Sequence, residues 1–310
     1  RWLVDSLRAK LPFDKSLGQH FLVNDDLIQR AVDLGEVTES DHVLEVGPGP
    51  GVLTEALLEV GCRVTAIEID PVAAEHLRGA FAPEIKTEQL VLIEGDALMV
   101  QWPNDVDKMV ANIPYQISSP LIEHLTRYLR NPRTSALESV VLLVQEEFAE
   151  RLVMEYESDV GSLGMTAALD WDCEIEDKVG PHNFSPNPKV NSRYVTLEAH
   201  HEDWPCDVRL VRQMIHQCFG ERRKKLRTTL KRSPRRINRV SGWHSARWKG
   251  AYAAHSEDER MESRPEELEL DDWISLAVSF MSMAVWTRWR IIRRARDQSG
   301  TASLMPAAMI

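Results

Sequence analysis

Between residues 24 and 154 the apolar positions switch repeatedly between a helical spacing and short unbroken runs. Asn24-Asp25-Asp26 has the form of a helix N-cap with acids in its first turn, and Leu27, Ile28, Ala31, Val32 and Leu34 follow at helical spacing to a Gly35 stop. Val43-Leu44-Glu45-Val46 reads as a buried strand running into Gly47-Pro48-Gly49-Pro50-Gly51, after which a helix spans Val52 to Val60. Further strands are predicted at Arg63 to Ile67, ending in Glu68-Ile69-Asp70, at Leu90 to Ile93, ending in Glu94-Gly95-Asp96-Ala97, and at Lys108 to Asn112, ending in Ile113-Pro114-Tyr115. Ser118 is placed as the cap of a helix through Tyr128, and Val140 to Val144 as a strand running into a helix from Gln145 to Met154. Strands alternating with helices predict an α/β, doubly wound, largely parallel sheet with ligands at the carboxyl ends of its strands. Gly47, Glu68, Asp96 and Asn112 all fall at such ends.

Beyond about residue 160 the texture changes. Val179 to Val190 is a Pro-punctuated, stiff loop with Phe184 near its tip, read either as a core plug or as a stacking platform. Arg193 to Leu197 resumes as a strand. Val208, Val211, Ile215 and Phe219 mark one helix stripe, and Phe219, Leu226 and Leu230 a second whose outer face carries Arg222, Arg223, Lys224, Lys225, Arg227 and Lys231. Arg264-Pro265-Glu266-Glu267-Leu268 is expected to start a last regular helix. These shifts divide the chain into a nucleotide-type domain over 1–200, a smaller, mainly helical domain over 201–283, and a Trp- and Arg-rich tail over 284–310 that no pattern interprets.

Composition changes this picture at one point. The chain of 310 residues is 43% hydrophobic and 27% charged, ordinary for a globular protein and long enough for two cores. Its net charge of −11 argues on its own against a nucleic-acid partner. Between Arg222 and Arg239, however, stand ten Lys or Arg and no acid, which leaves −21 for the remainder. One basic patch on an acidic body points to a polyanion site with a defined address; the alternative is a solvated helix face. Cysteines 62, 173, 206 and 218 form no CxxC pair and have no His at metal spacing, so neither a zinc site nor a disulfide framework is expected and a cytoplasmic home is. The first residues have no signal layout and no initiator Met, as expected of a trimmed start. The longest apolar run, Trp273 to Trp286, is 14 residues, too short to span a bilayer.

A strand, a glycine-rich turn and a helix form the usual entry to a nucleotide-type site, because glycines let the backbone approach the ligand and the helix start offers unpaired N–H groups. Glu68, 17 residues past Gly51, is placed to accept the hydroxyls of a ribose; its plainer reading is a helix-capping acid before Pro71. Val52 stands where a dinucleotide fingerprint needs glycine, so nicotinamide and flavin are disfavoured. Asp96 can accept an adenine amine. Asn112-Ile113-Pro114-Tyr115 offers a carboxamide, backbone carbonyls and a π face, a set suited to a flat, amine-bearing base.

Taken in order, Lys15-Ser16-Leu17-Gly18-Gln19-His20-Phe21-Leu22, the Gly47 to Gly51 loop, Asn112-Ile113-Pro114-Tyr115, Gln145 to Leu152 and Phe184-Ser185-Pro186-Asn187-Pro188-Lys189-Val190-Asn191-Ser192 carry a resemblance. Over roughly residues 12 to 280 the chain resembles the ribosomal RNA adenine dimethyltransferases, which modify adjacent adenosines near the 3′ end of small-subunit ribosomal RNA. Asp96-Ala97-Leu98 and Arg264 to Leu268 look most like archaeal members.

The resemblance implies a Rossmann-like methyltransferase sheet with S-adenosylmethionine in the strand-tip cleft. Gly47, Gly49 and Gly51 would line its methionine side, Glu68 its ribose, Asp96 and Ala97 its adenine, with His20, Leu22 and Asn112 also in contact. His20 departs from the family's usual Asn; it is alternatively a partly exposed loop residue. Asn112 and the Ile113 or Pro114 carbonyl would accept the amine hydrogens, while Tyr115 and Phe184 would grip the flipped base. Arg222, Arg223, Lys224, Lys225 and Arg227 would track RNA phosphates on an assembling small subunit, the enzyme being a soluble monomer without metal. Two rivals share these motifs. A resistance-type methyltransferase of large-subunit ribosomal RNA differs in the base it marks, and a non-catalytic assembly factor would show a damaged Asn-Ile-Pro-Tyr or glycine loop.

Overall fold

The computed structural model describes residues 2–10, 20–134, 137–200 and 203–281. Lys15 to Gln19 of the N-terminal motif and the 284–310 tail lie outside the described residues. The chain divides into two compact units, residues 1–201 and 202–310.

Among the described residues the first unit carries nine strands: β1 (Phe21–Leu22), β2 (His42–Val46), β3 (Arg63–Glu68), β4 (Leu90–Glu94), β5 (Lys108–Asn112), β6 (Ser139–Gln145), β7 (Trp171–Val179), β8 (Phe184–Ser185) and β9 (Ser192–Ala199). Seven form one sheet in the order β4-β3-β2-β5-β6-β9-β7. β4 to β6 are mutually parallel, and β9 and β7 close one edge antiparallel. Two buried clusters separate by strand parity. Leu44, Val46, Met109 and Ala111 face one layer, and Val43, Val64, Ala66 and Val110 the other, the alternation expected of a sheet covered on both sides. β1 and β8 pair antiparallel, Phe21 against Ser185 and Leu22 against Phe184, which ties the N-terminal segment to the Pro-rich loop.

Several local expectations hold. Asn24 Oδ1 accepts the backbone N–H of Asp26 at 3.1 Å and of Leu27 at 3.4 Å, capping the helix Asp25–Leu34. The helix Val52–Val60 starts on Gly51. Ser118, by contrast, is the first residue of the helix Ser118–Leu129 and no cap; its hydroxyl donates to the Tyr115 carbonyl at 3.0 Å. β7 and the helices Trp2–Arg8 and Pro71–Ala80 are additional to the elements predicted.

The second unit is helical: Val208–Phe219, Leu226–Thr229, Ser245–Ala254 and Leu270–Met281. The basic stretch is not the helix expected. Residues Glu221 to Lys224 form a turn, only Leu226–Thr229 is α-helical, and Ile237–Arg239 is a single 3-10 turn. Four consecutive cations cannot share one helix face, and Pro234 ends any continuation. Nor does Arg264 start a regular helix: Pro265–Glu267 is a 3-10 turn, and the helix Leu270–Met281 begins after it. No described helix is long and apolar enough to cross a membrane.

Candidate active site

Alternation along the strands decides which side chains meet. Glu45 on β2, Glu68 on β3 and Asn112 on β5 share parity with Val43, Ala66 and Val110, so all three project to the layer covered by the helices Asp25–Leu34 and Val52–Val60. At the carboxyl ends of the strands this layer opens into a cleft lined by both carboxyl groups, by Gly47 and Gly49, and by Asn112 to Tyr115. The tips are stitched together: the Gly47 N–H donates to the Ile67 carbonyl at 2.9 Å, and the Gly95 N–H to the Glu68 carbonyl at 2.8 Å.

The three glycines of the loop serve different ends. Gly47, with φ of 71°, presents bare backbone to the cleft; a Cβ would meet only the Pro114 ring, at 3.4 Å. Gly49 lies under the Phe21 ring, where a Cβ would come to 2.8 Å of Cε1. Gly51 lies outside the cleft lining. Its φ of 90° and the 2.5 Å approach of a Cβ to Phe81 Cε2 show that glycine is needed there for packing.

Glu68 is 5% exposed. Its Oε2 accepts the Gly49 N–H at 3.0 Å and its Oε1 the Asp70 N–H at 2.9 Å, yet burial still raises its pKa above the usual carboxylate range. The helix cap is Asp70, whose Oδ1 accepts the Val72 N–H at 2.9 Å, so Glu68 is left to the cleft. Asp96, half-buried, spends Oδ1 on the Leu98 N–H at 2.9 Å, and the Ala97 carbonyl accepts the Trp102 indole N–H at 2.8 Å. Both lie beyond the tip of β4, outside the lining of this cleft.

At the tip of β5 the Asn112 carboxamide has no hydrogen-bond partner among the described residues, and neither has the Ile113 carbonyl. The Pro114 carbonyl is engaged by the Ile117 N–H at 3.1 Å. Tyr115 bonds through its hydroxyl to Ser192 Oγ at 2.8 Å, and burial raises its pKa, keeping the phenol protonated. His20 stacks against Tyr115, ring centroids 6.0 Å apart and planes 25° off parallel, while its Nδ1–H donates to the Pro186 carbonyl at 2.8 Å. Leu22 is buried in the cleft wall.

Phe184 is not brought to the cleft. It is 2% exposed and packs in the cluster with Leu22 and Ile28, because the β1–β8 pairing turns it inward. The plug reading therefore describes its position, and the stacking reading does not. Among the lining residues not expected from the sequence are Phe21, Tyr194 and Glu45. The signal for Glu45 was present, a lone acid inside an apolar run.

In the second unit the basic side chains are exposed but unequal. Arg222 reaches Glu266 at 3.9 Å, and Lys225 and Arg227 share Glu262 at 2.9 and 2.7 Å. Lys224 and Arg232 pair with Glu221. Arg223, Lys231, Arg235, Arg236 and Arg239 form no ion pair among the described residues. Leu226, Leu230, Ile237 and Val240 are buried beneath them.

A sequence profile described as ribosomal RNA adenine dimethylase matches residues 11–241. The chain belongs to the ribosomal RNA adenine dimethylase family. The enzyme is similar to ribosomal RNA small subunit methyltransferase A of Synechococcus elongatus, 34% identical over 279 residues that cover 86% of this chain and 94% of that protein. It is also similar to the probable ribosomal RNA small subunit methyltransferase A of the archaeon Natronomonas pharaonis, 37% identical over 243 residues, 77% of this chain and 84% of that one. Among solved structures, a dimethyladenosine transferase from Plasmodium falciparum matches with a TM-score of 0.70 at 27% identity, covering 84% of this chain and 97% of that one. The 23S rRNA methyltransferase ErmE shares the fold, with a TM-score of 0.59, 24% identity and coverage of 84% and 100%.

The methyl donor of the enzyme is S-adenosylmethionine. The cleft fits such a molecule on its own chemistry. It offers carboxyl groups to hydroxyls and to positive charge, an open glycine backbone for close approach, and the apolar Phe21, Ile28 and Leu53 for the uncharged portions.

Proposed function

We propose that the enzyme methylates N6 of two adjacent adenosines near the 3′ end of small-subunit ribosomal RNA, giving N6,N6-dimethyladenosines during ribosome biogenesis in the cytoplasm. The observation that carries this reading is the pair of unengaged acceptors at the tip of β5, the Asn112 carboxamide and the Ile113 carbonyl, beside the face of Tyr115. The names of the Synechococcus and Natronomonas relatives support a small-subunit substrate. The likeness to ErmE supports the fold alone, so a large-subunit acceptor has no independent argument. An intact glycine loop and free Asn112 acceptors argue against a non-catalytic scaffold.

When bound, S-adenosylmethionine supplies an electrophilic methyl on a good leaving group. In this reading Glu68 receives the ribose hydroxyls, Gly47 and Gly49 lie along the amino-acid portion, His20 and Leu22 close the N-terminal side, and Asp96 with Ala97 borders the adenine end. Adenine N6 is a poor nucleophile because its lone pair is delocalised into the ring. Asn112 and Ile113 draw its hydrogens out of the ring plane and favour a pyramidal nitrogen. Of the two carbonyls first considered, Ile113 is preferred because Pro114 already accepts from Ile117. No strong base is required, and the Tyr115 phenol is in the wrong state to be one. The contribution is alignment and electrostatics, worth several kcal/mol of barrier. After the first transfer one N–H remains, so one acceptor suffices for the second.

Contact with RNA phosphates is assigned to the unpaired cations Arg223, Lys231, Arg235, Arg236 and Arg239 more than to Arg222, Lys224, Lys225 and Arg227. The latter must first give up Glu221, Glu262 and Glu266. The test is incubation of the enzyme with labelled S-adenosylmethionine and unmodified small subunits, followed by mass mapping. Two adjacent dimethyladenosines near the 3′ end are expected; label confined to large-subunit RNA, or none, overturns the reading.

A further inference from the structure

A ring that stacks on a base serves best when its plane is set before the base arrives, and the chain around Tyr115 sets only its backbone. Pro114, with its fixed φ, precedes it, the Tyr115–Ile117 turn follows, and the Ser118 hydroxyl donates to the Tyr115 carbonyl at 3.0 Å. The ring itself still turns about its own side-chain torsions. Among the described residues a single hydrogen bond ties it to the sheet, between the Tyr115 hydroxyl and Ser192 Oγ at 2.8 Å. His20 stacks nearby but spends its own hydrogen bond on the Pro186 carbonyl.

Ser192 is placed to hold still. It is 0% exposed and lies outside the lining of the cleft, so it reaches the base only through Tyr115. As the first residue of β9 it stands between two strands, opposite Gln145 on β6 and Val179 on β7. Its two chain neighbours are gripped by one carboxylate. Glu146 Oε2 accepts the Asn191 side-chain N–H at 3.0 Å, and Oε1 accepts the Arg193 Nε–H at 3.4 Å and pairs with Lys178 at 2.8 Å. The Glu146 N–H donates in turn to the Asn191 carbonyl at 3.0 Å. Methyl transfer by itself gives neither Ser192 nor the Gln145 to Leu152 stretch a task.

We propose that Ser192 is a positioning residue for the transfer: its hydroxyl, anchored in the sheet, sets the plane of the Tyr115 ring, so that the flipped adenine meets a stacking face already in place. The inference rests on the proposal that the adenine lies on Tyr115. A ring free to turn has to be ordered as the base arrives, and that ordering is drawn from the binding energy of the base. Flipping takes place within a complex already held by phosphate contacts, so the loss registers in kcat and not in KM for RNA.

The experiment is a double-mutant cycle on the full chain, read as labelled methyl incorporation from S-adenosylmethionine into unmodified small subunits. Tyr115→Phe keeps the ring and removes its hydroxyl; Ser192→Ala removes the anchor. Each is expected to lower kcat about 3- to 10-fold, with KM for donor and for subunits within about twofold of native. The losses are expected not to add: Ser192→Ala has no further effect in Tyr115→Phe, where its route to the base is already gone. An equal loss from Ser192→Ala in both backgrounds means that it acts through the fold, and overturns the proposal. Native turnover by Tyr115→Phe overturns it too, and that variant decides alone where Ser192→Ala does not fold. Tyr115→Ala separates the proposal from the placement of the base. A large loss in Tyr115→Ala beside native turnover in Tyr115→Phe leaves the stacking face standing and removes the anchor. Native turnover in Tyr115→Ala overturns the stacking face, and the proposal with it.

Discussion

Replacing Phe184 by leucine distinguishes a core side chain from a stacking platform, because leucine keeps much of the apolar volume and loses the π face. Phe184 is 2% exposed, seated opposite Leu22 and away from the cleft. Truncating a buried phenylalanine to alanine costs about 3–5 kcal/mol. At roughly 2–4 °C per kcal/mol for a unit of this size, Phe184→Ala lowers Tm by about 6–20 °C. A hydrophobic swap that nearly conserves volume costs less than about 1.5 kcal/mol, so Phe184→Leu melts within a few degrees of the native enzyme. A base-stacking face, by contrast, is worth about 1–3 kcal/mol, or about 5- to 150-fold in kcat/KM. The expected result is that Phe184→Leu keeps kcat/KM within about threefold when labelled methyl incorporation into small subunits is measured well below its melting temperature. A loss of about 20-fold or more in Phe184→Leu, with Tm unchanged by calorimetry, refutes the core assignment and returns Phe184 to the base.

Asn112→Ala removes an unengaged acceptor and is expected to lower methyl transfer by about 10²–10³-fold while calorimetry finds affinity for S-adenosylmethionine within a few-fold of native; unchanged turnover sinks the acceptor role. Neutralising Lys231, Arg235, Arg236 and Arg239 to Gln should flatten the salt dependence of RNA binding by about three in log–log slope, and the same change at Arg222, Lys224, Lys225 and Arg227 by clearly less. Equal slopes for the two sets would mean that the carboxylates do not hold the second. Gly51→Ala forces a positive φ on a residue with a Cβ and drives it into Phe81, so stability measured by urea denaturation should fall by about 2–4 kcal/mol; a fall below about 0.5 kcal/mol contradicts the packing role.

The parallel half of the sheet was legible because β2, β3, β5 and β6 are buried on both faces and read as mainly apolar runs between turn signals, while the edge strand β4 is still apolar from Leu90 to Ile93. What was missed lacks that signature. β7 is an edge strand whose exposed positions, Asp172, Glu174, Asp177 and Lys178, are all charged, so its composition is that of a solvated segment. β1 and β8 are two residues each, too short for any period, and exist because they pair with each other. The helix Ser245–Ala254 buries only Trp248 and has no stripe to find. The basic stretch failed in the opposite direction: Leu226 and Leu230 do have helical spacing, but the run extends only to Thr229 before the chain turns.

The site divides along the same line. Residues whose position follows from being the last of a buried strand, Glu68 and Asn112, come to the cleft as their place in the sequence requires, since topology puts every such tip on one edge of the sheet. Residues whose position depends on contacts distant in sequence do not follow that rule. Phe184 sits near the tip of a Pro-punctuated loop that by itself allows either direction, and pairing with a segment more than 160 residues earlier turns it inward. Glu45 is the converse. Its place between Leu44 and Val46 in a strand read as buried was legible, while the partner that meets it there, the Thr54 hydroxyl nine residues later on the helix Val52–Val60, was not. An acid between Leu44 and Val46, followed by a glycine loop, cannot be solvent-facing in a sheet covered on both sides. Fold class alone therefore required Glu45 to be buried, and a buried acid beside a ligand cleft needs either a fixed partner or a cationic ligand.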